Sequence, residues 1–151
     1  TQRLVDDNEN GPGSSSVIMH GYTYSGHPTA CAAALAVLDI VEAEDLPGNA
    51  GKVGAQLLEQ LQPLTERYAV VGEVRGKGLM IAVDLVADKV TREPLDPANG
   101  LASRIAEQAR RAGVLVRPIG NKIVMSPPLT LTSDEAALMV GGLDSALADC
   151  R

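Results

Sequence analysis

From residue 46 onward, the spacing of apolar residues alternates between a helical period and short strand-like runs. Val53, Leu57 and Leu61 lie four residues apart, whereas Ala69 to Val74 and Leu79 to Val86 are short apolar runs. The first pattern is typical of one buried helix face, and the second of a buried strand. The order is helix, two strands, helix, two strands, helix, which predicts an α+β fold with helices covering one sheet.

Turn-forming residues predict where the first of these elements end. Pro63 should interrupt the helix whose buried face continues to Tyr68, because proline lacks the amide that a helix interior uses. Arg75-Gly76-Lys77-Gly78 is expected to connect two antiparallel strands as a hairpin. Two more strands are predicted over Val114 to Arg117 and Lys122 to Ser126.

Capping residues predict the two later helices. Asp96-Pro97 supplies an N-cap and a first-turn proline, and Gly113 supplies an end for the helix that follows. Thr132 to Glu135 forms a capping box, which opens the last helix. The residues predicted to be buried in that helix are Leu138, Met139, Leu143 and Leu147.

Residues 1–45 are expected to belong to a different domain from residues 46–151. The first 16 residues run from a polar segment into Gly11 to Ser16, a composition typical of an exposed loop or of disorder. Pro28 then opens a predicted helix over residues 29–44. Because an independent domain does not begin in this way, we expect residues 1–45 to be the remnant of a larger domain cut from a longer polypeptide.

Composition limits the classes of binding partner and the cellular location that we expect. The chain has no Phe or Trp, so its core must be aliphatic, and its net charge of −6 disfavours nucleic acid and anionic membranes. No apolar run approaches the roughly 18 residues of a membrane span. The two cysteines have no metal-binding spacing, which favours a reducing, cytoplasmic location.

A loop rich in glycine and hydroxyl groups precedes the first predicted helix. It reads His20-Gly21-Tyr22-Thr23-Tyr24-Ser25-Gly26-His27-Pro28. Glycines allow a close backbone approach to an anion, and the Thr23 hydroxyl can donate to it, so the loop suits a phosphate. An ordinary loop has a similar composition. For His20 and His27, local hydrogen bonding is a better interpretation than acid–base or metal chemistry, since no third histidine lies near them.

Residues 20–36 resemble, almost residue for residue, a signature of the class III pyridoxal-phosphate (PLP) dependent aminotransferases. This resemblance implies a fold-type I PLP-dependent transferase, represented here by the last loop and helix of its large domain and by its C-terminal small domain. It also implies that Thr23, the main chain of Tyr22 and the adjoining Gly21 contact the phosphate of PLP. In the family this contact is made in trans, to the cofactor of the partner subunit in a homodimer.

A second resemblance covers residues 113–129 and concerns Arg117. The segment is similar to the end of the small domain in the ω-amino acid:pyruvate branch of the family, where the matching arginine recognises the substrate carboxylate. A guanidinium can grip a carboxylate in two places. The alternative for Arg117 is an arginine at a strand end that pairs with a surface acid.

The resemblance also implies residues that this chain lacks. The Schiff-base lysine would fall before residue 1, and the four lysines present do not match it; they are Lys52, Lys77, Lys89 and Lys122. The acid, the stacking aromatic residue and the phosphate loop of the same subunit would also lie upstream. We therefore assign no catalytic residue and no metal ligand. The isolated chain is expected to be inactive and not to bind PLP by itself.

The predicted function is transfer of an amino group, through PLP, between an amine or ω-amino acid and a keto acid such as pyruvate. One alternative is a class III aminomutase or decarboxylase. Another is a stand-alone α+β module that binds a small ligand or a partner without catalysis, which the absent lysine favours. Against the module, the alanine-rich helix over residues 29–44 would expose an unpartnered face, and such a chain is expected to associate with itself.

Overall fold

The computed structural model describes residues 21–150, and the chain divides after Ile40 into two compact units. The predictions for residues 1–20, including the loop over residues 1–16 and the role of His20, lie outside the described residues. The predicted domain boundary after residue 45 stays a prediction.

The first helix, α1, spans Pro28–Ala43 and confirms the helix predicted over residues 29–44. Proline suits its first position because the missing amide would have had no partner there. No residue of α1 is buried. Leu35 and Leu38 are 63% and 60% exposed, so the structure gives this helix no packed core of its own.

The second helix is interrupted at Pro63, as predicted. Helix α2 spans Leu46–Leu61 and α3 spans Leu64–Arg67. Tyr68 was predicted to lie on this helical face, but it follows α3 in an extended conformation. Its ring is buried, and its hydroxyl donates to the Asp144 carboxylate (2.6 Å). This distant partner, 76 residues along the chain, holds Tyr68 outside the helix.

The predicted antiparallel hairpin is present, but its connection is shorter than predicted. Strands β1 (Val71–Lys77) and β2 (Met80–Asp88) are antiparallel, so the connection is Gly78-Leu79 alone. Arg75 to Lys77 belong to β1, where Arg75 forms a cross-strand ion pair with Asp84 (2.9 Å). Gly78 takes the turn conformation, with φ of +55°, which glycine adopts without steric cost.

The third predicted helix begins later than its cap signal indicated. Strand β3 (Glu93–Pro94) is followed by a 3₁₀ turn over Pro97–Asn99, and helix α4 spans Leu101–Arg111. Asp96 caps the 3₁₀ turn by accepting from the Ala98 amide (2.9 Å). Gly100, with φ of +63°, separates that turn from α4, so the predicted N-cap serves a different element.

The last two strands complete one antiparallel sheet. Strand β4 spans Arg117–Ile119 and β5 spans Lys122–Met125, which gives the order β1-β2-β5-β4 with β3 on the side of β2. The strand predicted over Val114 to Arg117 therefore begins only at Arg117. Val114 instead ends α4, since its amide donates to the Ala109 carbonyl (2.8 Å).

The predicted α+β fold is confirmed, with an aliphatic core between the sheet and its helices. Helix α2 packs on β1, and both α2 and α4 pack on the last helix, α5, which spans Ser133–Asp149. Alternate strand residues point into this core, as the period of two requires. Fully buried aliphatic side chains include Leu57, Leu61, Val71, Ile81, Val83, Ile105, Ile123, Met125, Leu143 and Leu147.

Helix α5 has the predicted capping box but a different buried stripe. Thr132 and Glu135 bond each other's backbone amides, as the box requires. Leu138, predicted to be buried, is 72% exposed, and Met139 is only half-buried. The stripe that faces α2 and α4 contains small residues, which let the helices approach closely: Ala136, Gly142, Leu143, Ala146 and Leu147.

Two adjacent glycines in α5 have different surroundings. A Cβ at Gly142 would lie 2.4 Å from Val114 Cγ2, whereas a Cβ at Gly141 would meet nothing within 4 Å. Gly142 therefore allows α5 to cross the chain where α4 ends. Gly141 only lowers the helix propensity of an exposed position.

We expect the Gly141→Ala and Gly142→Ala variants to change stability in opposite directions. Alanine at 141 should raise the free energy of unfolding by up to about 1 kcal/mol through helix propensity. Alanine at 142 should lower it by about 1–3 kcal/mol, because the new methyl displaces Val114. Urea unfolding of both variants measures this, and an equal change in both would contradict the close approach at Gly142.

Candidate functional site

The loop before α1 forms a tight turn that uses most of its own polar groups. The Ser25 amide donates to the Tyr22 carbonyl (2.9 Å), and the Tyr22 amide donates to Ser25 Oγ (2.8 Å). Gly26 has φ of +76°, and the His27 amide donates to the Tyr24 carbonyl (3.2 Å). These bonds fix the conformation that presents Thr23.

Thr23 is one residue of this loop that keeps two donors for a ligand. Its amide and hydroxyl make no hydrogen bond to another residue within 21–150, and its side chain is exposed. The adjoining Gly21 leaves open space, because a Cβ there would meet nothing within 4 Å. Neighbouring amide and hydroxyl donors of this kind fit a phosphate oxygen. The Tyr22 amide, by contrast, is already engaged by Ser25.

His27 makes the local hydrogen bond that its surroundings predicted. Its Nδ1 accepts from the Ala30 amide at 3.4 Å, in the first turn of α1. This bond satisfies one of the free amides at the start of the helix.

A groove of about 560 Å³ lies in the second unit, and Arg117 is part of its wall. Its other walls are the segment that joins α4 to β4, the turn that follows β5, and the beginning of α5. Most of the side chains are apolar: Val114, Leu115, Val116, Val124, Pro127, Pro128, Leu131, Leu138 and Met139. Leu115 and Leu138 are 80% and 72% exposed, so the groove is an apolar surface open to solvent.

Arg117 is exposed at the start of β4, and its guanidinium has no ion pair among the described residues. Within residues 21–150, ion pairs involve Arg67, Arg75, Arg110 and Arg111, but no acid lies within 4.0 Å of Arg117. The surface ion pair that was the alternative for Arg117 is therefore not found in the described part of the chain. A planar guanidinium beside apolar walls can bind a carboxylate that carries a hydrocarbon chain.

Glu135 is the acid in the wall of this groove, and it is already committed to the helix cap. Its carboxylate accepts from the Thr132 amide and hydroxyl, both at 2.8 Å. These two hydrogen bonds hold the pKa of Glu135 below its ordinary value, the backbone bond contributing most. The carboxylate therefore stays ionised and bonded at the cap.

None of the four lysines lines the groove. Lys89 donates to the Thr65 carbonyl, while Lys52, Lys77 and Lys122 are exposed at other surfaces. Among the described residues, no group of three or more His, Cys, Asp or Glu side chains could hold a metal ion. No helix within residues 21–150 combines the length and apolarity that a bilayer crossing requires.

The segment 113–129 was singled out for Arg117, but the groove around it was not predicted from the sequence. That segment contributes Leu115, Pro127 and Pro128, whereas Leu138 comes from α5. Leu138 is exposed although the helical period predicted it to be buried, so no local signal in the sequence indicates this wall.

Comparison with known sequences identifies one family. The sequence profile described as "Aminotransferase class-III" matches residues 8–147. An uncharacterized aminotransferase of Sinorhizobium fredii is 43% identical over 141 residues, which are 92% of this chain and 30% of that protein. An adenosylmethionine-8-amino-7-oxononanoate aminotransferase of Geobacter sulfurreducens is 41% identical over 128 residues, which are 85% of this chain and 28% of that protein.

Solved structures give the same result. An amine transaminase from an uncultivated Pseudomonas species, in its PLP-bound form, is 79% identical with a TM-score of 0.89; the match covers all of this chain and 34% of that one. An (S)-enantioselective omega-transaminase from Thermomicrobium roseum is 47% identical with a TM-score of 0.81, over 91% of this chain and 30% of that one. The chain thus spans about a third of the length of the proteins it matches.

We expect the Glu135→Gln variant to lose stability mainly above the ordinary glutamate pKa. Because folding lowers the pKa of Glu135, its charge stabilises the fold above about pH 4.5, and this contribution disappears as pH falls through the lowered value. Urea unfolding at about pH 7 and about pH 3 should show a larger difference from the wild type at the higher pH. A difference independent of pH would show that the carboxylate charge does not stabilise the cap.

Proposed function

The chain belongs to the class III aminotransferase family, and we propose that it supplies the C-terminal part of a PLP-dependent enzyme that moves an amino group between an amine or ω-amino acid and a keto acid such as pyruvate. Its fold is accordingly part of the PLP-dependent transaminase fold. The observation that carries the proposal is Arg117, an exposed guanidinium in an apolar groove that has no ion pair within residues 21–150.

Recognition of the substrate carboxylate is the role proposed for Arg117. Two parallel hydrogen bonds from a guanidinium fix both the position and the orientation of a carboxylate. The apolar walls beside it, including Val124 and Leu138, would contact the carbon chain of a keto acid or an ω-amino acid. An amine without a carboxylate would use only those walls.

Holding the cofactor phosphate is the role proposed for the loop. The Thr23 hydroxyl and amide would donate to phosphate oxygens, with the main chain at Tyr22 and Gly21 close by. PLP, when bound, supplies the electron sink for the carbanion chemistry of amino transfer. We place this contact in trans, in a homodimer where each loop completes the cofactor site of the other subunit.

The Schiff-base lysine is proposed to come from a part of the enzyme outside residues 1–151. The lysines of this chain lie away from the groove, so we assign none of its residues a catalytic role. The 151-residue chain alone is then inactive, and its α1 surface favours association with another polypeptide. The two free cysteines suit the reducing environment of the cytoplasm.

The alternatives change the reaction or remove it. A class III aminomutase or decarboxylase would use the same loop and the same fold. A stand-alone binding module would use the groove alone, and the position of the four lysines is the observation that favours it. The similar proteins named above are transaminases, which supports amino transfer.

We expect the Arg117→Ala variant, in the polypeptide that carries this chain together with the Schiff-base lysine, to raise the KM for pyruvate by roughly 10- to 100-fold. This range corresponds to losing a charge-assisted interaction of about 1.5–3 kcal/mol. The KM for a carboxylate-free aralkyl amine should stay unchanged. The KM of Arg117→Lys for pyruvate should lie between those of the wild type and Arg117→Ala, since an ammonium cannot form the bidentate contact. Steady-state kinetics with each substrate varied measures this.

The intact mass of the protein from its native source tests the wider proposal. A longer chain that shows the visible absorbance of lysine-bound PLP and forms alanine from pyruvate would support it. A native chain of 151 residues, without that absorbance and without amino transfer, would overturn the enzyme and favour the binding module. A PLP-bound chain that releases carbon dioxide or isomerises its substrate would favour the other class III reactions.

We expect the Thr23→Ala variant of the same enzyme to bind PLP about tenfold more weakly, because one charge-assisted donor is lost. Thr23→Ser keeps the hydroxyl and is the matched control, with an affinity near that of the wild type. Equilibrium dialysis of the cofactor measures both. Equal losses in the two variants would contradict the hydroxyl contact.

Hybrid dimers decide whether the contact is made in trans. One subunit would carry Thr23→Ala, and the other would lack the Schiff-base lysine. If each loop serves the other subunit, the one lysine-containing site keeps an intact Thr23 and wild-type affinity. A weakened site in this hybrid would place the contact within one subunit.

A further inference from the structure

We infer that Asn49 is a positioning residue for the substrate groove, where its side-chain amide holds the turn over residues 128–131 that forms one wall beside Arg117. The inference rests on the proposed function, because it assumes that this groove receives the carboxylate substrate. Asn49 lies on α2 and outside the groove itself.

The contact joins two parts of the chain that are far apart in sequence. Asn49 Nδ2 donates to the Leu129 carbonyl (2.7 Å) and to the Leu131 carbonyl (3.1 Å), which lie 80 and 82 residues away. The Leu131 amide closes the turn by donating to the Pro128 carbonyl (3.0 Å). One side-chain amide therefore uses both of its N–H donors to fix two carbonyls of the same turn.

The position of Asn49 is itself fixed by the start of α2. Asp45 is the N-cap residue, and its carbonyl accepts from the Asn49 amide (2.9 Å). Asn49 is half-buried, and it lines a second cleft, with Thr130, Leu131 and Ser133, on the side of the turn away from Arg117. Because Leu131 borders both the cleft and the groove, Asn49 acts on the groove through the turn.

The turn has few other ways of holding its shape. Pro127 and Pro128 have no amide hydrogen, so neither can donate a backbone hydrogen bond that ties the turn to the sheet or to a helix. Their rings nevertheless form part of the groove wall, and the cap of α5 at Thr132 follows directly. Without the two bonds from Asn49, this wall would move relative to the guanidinium, and the substrate would bind less well with the chemistry unchanged.

The Asn49→Asp variant tests the inference in the intact enzyme. Its side chain has the same shape, but it replaces an amide donor by a carboxylate that faces two carbonyl oxygens. We expect the KM for pyruvate to rise roughly three- to tenfold, by analogy with the cost of small displacements in binding sites. The kcat should change by less than about twofold. Asn49→Ala, which removes the side-chain donors without adding charge, should show the same pattern if the aspartate variant does not fold.

The matched control is Gln62→Glu. Gln62 Nε2 donates to the Val74 carbonyl (3.0 Å) from the end of the same helix, but this bond holds β1 and lies away from the groove. Gln62→Glu makes the same chemical change as Asn49→Asp. We expect the thermal unfolding midpoint of Gln62→Glu to fall by about as much as that of Asn49→Asp, while its KM for pyruvate stays unchanged.

Three outcomes separate the possibilities. If Arg117→Ala raises the KM for pyruvate while both Asn49 variants leave it unchanged, the positioning role is wrong and the proposed function stands. If Gln62→Glu raises this KM as much as Asn49→Asp, the effect is one of general stability, and the positioning role is again overturned. If Arg117→Ala leaves the KM for pyruvate unchanged, the proposed carboxylate site is wrong, and the inference about Asn49 is wrong with it.

Discussion

The second unit depends on close approaches between backbones, because its core contains no large aromatic side chain except that of Tyr68. Aliphatic side chains fill a thin layer, so helices and sheet must lie near one another to exclude water. At one crossing, a Cβ on Gly54 of α2 would lie 2.2 Å from the carbonyl carbon of Gly78, in the β1–β2 turn. At another, Gly142 lets α5 meet Val114. These contacts set the separation of the elements that surround the groove.

The same contacts determine where the site residues lie. Val114 is held against α5 and bonded to the end of α4, and Arg117 follows three residues later. Gly54 fixes α2 over the hairpin, and Asn49 lies on the first turn of that helix. The groove beside Arg117 is therefore formed by the segment between α4 and β4, the turn after β5 and the start of α5, whose positions depend on backbone packing.

Local signals in the sequence predicted the elements, whereas distant contacts decided their limits. The interruption at Pro63 and the capping box at Thr132 involve only neighbouring residues, so the sequence alone predicts them. The extent of β1 depends on pairing with β2, which continues to Lys77. The exposure of Leu138 depends on which face of α5 meets α2 and α4. Likewise, the roles of Thr23 and Arg117 were proposed from motifs, while that of Asn49 was not, because its partners lie 80 and 82 residues away.

The charge pattern supports the role proposed for Arg117 over the same role for Arg67, Arg75, Arg92 or Arg110. In an acidic chain of net charge −6, Arg67, Arg75 and Arg110 each pair with a carboxylate. Arg92 has no such pair in the described residues, but it shares its cleft with Glu73 and Asp84, which would repel an incoming carboxylate. Arg117 shares its groove with one acid, and that acid is bonded to the α5 cap. Apolar walls also exclude water from one side of a ligand there, which strengthens the attraction that remains.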